Sequence, residues 1–217
     1  MRVILWALVA MACGGNGTAE CEKLRPLNDV VRQGELSDGQ RACLQRRLDD
    51  PNDSMRQAVS ELLLFDARRR DDGGASWAAR AETHVDAFPN DVVTLMRLAN
   101  FHQRKGPQAA ETSMNFARRG LSYLQRNPAT TPAEKRAFHD LLKAKAIAAE
   151  MLASPDSPKE NKERTAQYAR DWFTVATAMS LPTDRAIAMC LNTGAVEAYC
   201  DGSINELYGS TEGSASE

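Results

Sequence analysis

The sequence predicts an all-α chain built as an array of helical hairpins, and three observations carry that reading. Pro51, Pro89 and Pro128 recur at intervals of 38 and 39 residues, and the first two open the same tripeptide, Pro51-Asn52-Asp53 and Pro89-Asn90-Asp91. Each interval holds two stretches with apolar residues at helical spacing, parted by glycine, which is how helix-pair repeats read. The composition agrees: only 6% of residues are aromatic, and the chain is rich in Ala, Leu, Arg, Glu and Gln, which lose little side-chain entropy in a helix. Finally, no run alternates apolar and polar residues in the manner of a strand. At 217 residues the chain can bury a real core. Its net charge of −2, with both signs interspersed, lacks the basic excess of a nucleic-acid binder, so no nucleic acid is expected as a partner.

The first element is a leader. Met1-Arg2 gives a positive start and Val3–Ala12 is uncharged. That run is too short to span a bilayer, which takes about 20 apolar residues, and has the length of a signal-peptide core. It ends Ala10-Met11-Ala12-Cys13-Gly14, with small residues first and third before a cysteine. This resembles a bacterial lipoprotein signal, although Ala10 stands where such signals most often have Leu. The resemblance implies that residues 1–12 are removed and that Cys13 is lipidated and becomes the first mature residue. An ordinary signal peptidase could cut the same bond, leaving a secreted or periplasmic soluble protein. Gly14 is not the Asp that retains some lipoproteins at the inner membrane, so the resemblance implies the outer membrane, facing the periplasm. Residues 13–20 include Gly14-Gly15-Asn16-Gly17-Thr18, a flexible tether with nothing to bury.

Cysteine usage fits export. With Cys13 lipidated, Cys21, Cys43, Cys190 and Cys200 remain, an even number suited to an oxidising compartment. Three connectivities are open, the simplest being Cys21–Cys43 and Cys190–Cys200. Ten residues of continuous helix span about 15 Å, against the roughly 5.5 Å between the Cα atoms of a disulfide. The second pair therefore needs a helix break, for which Asn192-Thr193-Gly194 is suited. The first would close a loop worth on the order of 3 kcal/mol.

Residues 21–50 are expected to form an N-terminal hairpin that caps the array: a short helix from Pro26 to about Gln33, then one opened by the capping box Ser37-x-x-Gln40. The helical-repeat domain, 51–208, follows. In the unit from Pro51 to Phe88, Met55, Val59, Leu62 and Leu63 line one helix and Trp77, Ala81, Val85 and Phe88 the next, with Asp71-Asp72-Gly73-Gly74 between. In the unit from Pro89 to Asn127, the stripe is Val92, Leu95, Leu98, Ala99 and His102, then the Gly106-Pro107 turn, then Ala110, Met114, Ala117, Leu121 and Leu124. Past Pro128, Thr131-Pro132-x-Glu134 opens a helix with Phe138, Leu141, Leu142, Ala148, Ala149 and Leu152. A Pro-containing loop leads to one with Tyr168, Trp172, Val175, Ala176 and Met179. Pro182-Thr183-Asp184 opens a last helix with Ile187, Cys190 and Leu191. Residues 209–217 carry no apolar pattern and are expected to be disordered.

Leu95-x-x-Leu98-Ala99 followed by Gly106, and preceded by Pro89-Asn90-Asp91, is similar to a tetratricopeptide repeat, with Ala99 as the small residue that lets two helices approach. His102 stands where that family usually has Tyr, and the 38–39-residue period is longer than the family's. The resemblance covers about residues 51–128 and implies a right-handed solenoid whose first helices line a concave surface. On the helix at 92–105, Arg97, Asn100 and Arg104 share the face off the apolar stripe. Asn100 matches the position that clamp-type members use to hold a peptide. The Lys those members place four residues earlier is Met96 here. The two arginines offer charge-assisted bonds to an acidic or carboxylate-bearing segment.

Nothing reads as a catalytic centre. His84, His102 and His139 form no zinc-type spacing, no glycine-rich phosphate loop is present, and no cofactor or metal is implied. Arg68-Arg69-Arg70 followed by Asp71-Asp72 reads as a solvated helix end, and Trp77 and Trp172 as core anchors. The expected function is an interaction scaffold for an envelope protein or peptide segment, because repeat arrays mostly create binding surfaces. A small-molecule or lipid carrier with an apolar interhelical pocket is the alternative, ahead of an all-helical enzyme. Oligomeric state stays open.

Overall fold

The computed structural model describes residue 29 and residues 34–70, 74–153 and 158–193. Among them the chain is all-α, with eight α-helices and no strand. The expected leader, tether, first helix (apart from Asp29) and tail lie outside the described residues.

The three spaced prolines mark helix ends. The helices before them end at Asp49, Ala87 and Arg126, so Pro51, Pro89 and Pro128 each sit two residues past a last helical residue. A residue that precedes proline is pushed out of the helical region by the ring. Asp50, Phe88 and Asn127 accordingly have ψ of 110°, 73° and 85°.

The chain divides into two compact units, one through Phe88 and one from Pro89, the second of these prolines. In the first unit, α1 (Asp38–Asp49) packs on α2 (Arg56–Arg70), and α2 on α3 (Ala75–Ala87). The Ser37 box closes α1: the Gln40 amide N–H donates to Ser37 Oγ at 3.2 Å and the Ser37 N–H to Gln40 Oε1 at 2.9 Å. Leu36, Cys43, Leu44, Val59, Leu62 and Leu63 form the core between α1 and α2. Burying each such leucine contributes about 2 kcal/mol. At its edge is a charged centre. Asp66, with no side-chain exposure, accepts the Leu36 N–H at 2.8 Å and Arg70 Nε at 2.9 Å, with Arg41 at 3.4 Å.

The second unit holds α4 (Val92–Arg104), a 3-10 turn at Pro107–Ala109, α5 (Ala110–Arg126), α6 (Pro132–Leu152), α7 (Lys159–Ala178) and α8 (Asp184–Asn192). Helix α4 packs on α5 and α6, α6 on α5 and α7, and α7 on α8. Asp91 caps α4 through the Thr94 N–H at 3.0 Å. Gly106, at φ 90°, makes the turn where a side chain would be strained. The Thr131 box opens α6, and there Glu134 Oε2 collects the N–H and hydroxyl groups of both Thr130 and Thr131. Small residues let these helices approach. Ala99, Ala117, Ala137, Ala144, Ala148, Ala166 and Ala169 are fully buried, and a Cβ on Gly120 of α5 would lie 2.6 Å from Leu141 Cδ1 of α6. Helix α7 ends on Ser180 at φ 53°, with the Ser180 N–H bonded to Thr177 O and the Leu181 N–H to Ala176 O. That is the usual left-handed helix stop, formed here by serine in place of glycine.

Three apolar residues expected on buried stripes are instead exposed. Met55 is 46% exposed, Leu152 50% and Leu191 48%. Met55 precedes the first residue of α2, Leu152 is the last of α6, and Leu191 is the next to last of α8. At a helix end the stripe runs past whatever it packs against.

Candidate functional site

The polar face of α4 is built on a helix fixed by its opposite side. Leu95, Leu98 and Ala99 are fully buried, the Ser113 hydroxyl of α5 donates to Ala99 O at 2.8 Å, and His102 stacks on Phe116 with ring centroids 5.5 Å apart. Phe101, which the sequence reading left off the stripe, is buried and lies under Lys105 Nζ at 4.3 Å. With that side anchored, Arg97, Asn100 and Arg104 fall together, three and four residues apart. Arg97 and Asn100 are half-buried and Arg104 is exposed. Asn100 Nδ2 lies 3.2 Å from Met96 Sδ, a weak acceptor. The amide is thus lightly held, and it and Arg104 can turn to a ligand.

Of the cysteines, Cys43 and Cys190 are each disulfide-bonded and both are buried. Cys13, Cys21 and Cys200 lie outside the described residues. Cys190 Sγ sits 3.9 Å from Ala166 O, seating α8 on α7.

Two buried histidines have partners that no spacing rule in the sequence links to them, Ser60 and Trp172. His84 Nδ1 lies 2.8 Å from Ser60 Oγ across α2 and α3, a distance suited to a base and a hydroxyl nucleophile. Both residues are at most 5% exposed, which denies a substrate the reacting oxygen. His139 bonds Asp140 Oδ1 through Nδ1 at 2.8 Å and receives Trp172 Nε1 on Nε2 at 3.0 Å. An indole N–H only donates, so Nε2 carries the lone pair and Nδ1 the proton. The lone pair a general base would use is already bonded to a core tryptophan. Among the described residues no group of three or more His, Cys, Asp or Glu could hold a metal ion, and no helix is long and apolar enough to cross a membrane.

Fold and surface together define a class: an all-helical protein with disulfide-bonded cysteines and a polar helix face. No protein-family model matches the chain, and no curated protein or solved structure matches it either.

Proposed function

We propose that the chain is an exported, lipid-anchored helical-repeat scaffold that binds a protein or peptide segment in the bacterial envelope. The observation that carries this reading is the packing of α4 on both α5 and α6. The first helix of one hairpin then lies beside the first helix of the next, which is the neighbour relation of a tetratricopeptide-like solenoid. In such an array the polar face of α4 lines the concave side. Disulfide-bonded Cys43 and Cys190 suit an oxidising compartment, and the leader ending at Cys13 supplies the route and the anchor.

The test has two arms. Cys13→Ser should move the protein from the membrane to the soluble fraction, and equal membrane association of variant and wild type would refute the anchor. Substituting Arg97, Asn100 and Arg104 together with Ala should leave helicity unchanged, since surface changes cost about 0.5 kcal/mol each, while reducing capture of the partner from envelope extracts. Full recovery of the same proteins by a folded variant would show that the face is not the binding surface.

A further inference from the structure

Within the second unit, α5, α6 and α7 leave a cleft of about 340 Å³ between them. Leu121, Phe138, Leu142 and Val175 give it an apolar lining, and Lys145 of α6 and Asp171 of α7 bring one charge of each sign into it. The two charges attract each other through space but form no close ion pair. Lys145 Nζ sits over the Tyr168 ring at 3.7 Å from its centroid, and no described residue makes a hydrogen bond or close ion pair to the Asp171 carboxylate. Burial pushes the Asp171 carboxyl above its ordinary value, while Lys145 and Arg170 pull it back. The Asp171 carboxylate keeps access to solvent, so a ligand that brings N–H groups to it exchanges water for a charge-assisted hydrogen bond in a partly desolvated site.

The ligand class follows from the charges and the space. A simple amine would satisfy Asp171 but meet Lys145 as a like charge, and a simple acid would do the reverse. A zwitterion with an apolar body satisfies both groups and the lining. A residue inside a peptide chain lacks both charges, so a free amino acid fits where a segment of protein does not. The volume is near the lower end of ligand pockets, about 300–1,000 Å³, which suits a ligand of that size rather than a lipid tail. We propose that this cleft binds a free amino acid with an apolar side chain, its ammonium group donating to Asp171 and its carboxylate accepting from Lys145. This site is separate from the α4 face and does not depend on the scaffold reading.

Titration calorimetry of the full chain with L-phenylalanine is the test. Saturable one-to-one binding is expected, weakened by about tenfold or more in Asp171→Asn and in Lys145→Met, the loss that goes with one charge-assisted hydrogen bond. On the wild-type protein, where no variant can misfold, phenethylamine and 3-phenylpropanoate should each bind at least about tenfold more weakly than the amino acid. Absence of saturation by about 10 mM ligand, a level that corresponds to only about 3 kcal/mol of binding, would overturn the proposal. So would undiminished affinity in either variant, or an amine or acid that binds as tightly as phenylalanine.

Discussion

The two units solve the same problem, holding short helices together, with different chemistry. The first sets a charge in its interior. Asp66 ties the segment before α1 to α2 through the Leu36 N–H and gathers Arg41 and Arg70 around it, and Ser60 and His84 bridge α2 and α3. The second unit relies on close approach. Alanines and Gly120 line its helix contacts, its buried interhelix hydrogen bonds from Ser113 and Trp172 are made by neutral groups, and its charged interhelix pair, Arg185 with Glu150, lies exposed at the surface. The difference teaches where each should fail: the first by losing a partner for a buried polar group, the second by gaining volume.

The largest effect is therefore expected at Asp66. Asp66→Ala strands the N–H of Leu36, which is 2% exposed, and leaves two arginines facing a void. Breaking a buried pair costs about 3–5 kcal/mol, and the lower end applies because Arg41 and Arg70 are part-exposed and can turn to water. Asp66→Asn, which keeps an oxygen for Leu36, should lose less. Urea denaturation followed by the fluorescence of Trp77, the described tryptophan of this unit, measures both. Equal losses would show that the charge, and not the bond to Leu36, carries the effect.

Gly120→Ala is the corresponding break in the second unit. Alanine is about 1 kcal/mol better than glycine within a helix, so the change would stabilise a loosely packed site. Here the new Cβ meets Leu141 Cδ1 at 2.6 Å, and Leu141 has no exposed surface into which to move. Overpacking costs about 1–3 kcal/mol, for a net loss of about 1 kcal/mol. In a Leu141→Val background, which lacks the clashing atom, the same change should become neutral or favourable. Thermal melts of the four proteins give the coupling, and additive effects would mean that the helices separate without cost.

Much of the fold was legible because its punctuation is local. A proline acts on the residue before it, and a capping box closes within four residues, so Pro51, Pro89, Pro128, Ser37 and Thr131 could be read where they stand. The contacts that give the units their character are not local. Asp66 meets Leu36 across 30 residues and Trp172 meets His139 across 33, and no spacing rule links such positions. The face of Arg97, Asn100 and Arg104 followed from helical periodicity alone. The cleft did not, since three helices build it. The one local hint was Asp171, a carboxylate directly before the buried pair Trp172 and Phe173.

The two capping boxes give the smallest and most selective test of the comparison. Ser37 pairs with Gln40 in the first unit and Thr131 with Glu134 in the second, so only the second is ionisable. The backbone N–H groups of Thr131 and Thr130, then their hydroxyls, hold the Glu134 carboxyl down from 4.5 to about 2. A group whose folded pKa is depressed contributes stability above its unfolded pKa and loses it as pH falls through the folded value. The Glu134 contribution should thus be whole above about pH 4.5, shrink below it, and be nearly gone at about pH 2. Glu134→Gln should melt below wild type at neutral pH, and the gap should close as the pH drops through that window. The reverse exchange, Gln40→Glu, should give the first unit an acid-sensitive cap that it now lacks. Melting curves read at Trp172 for the second unit and Trp77 for the first separate the two changes. A wild-type-to-Glu134→Gln gap that is the same at neutral pH and near pH 2 would mean that the four donors around Glu134 do not favour its charged form, and that the two boxes differ in sequence but not in electrostatics.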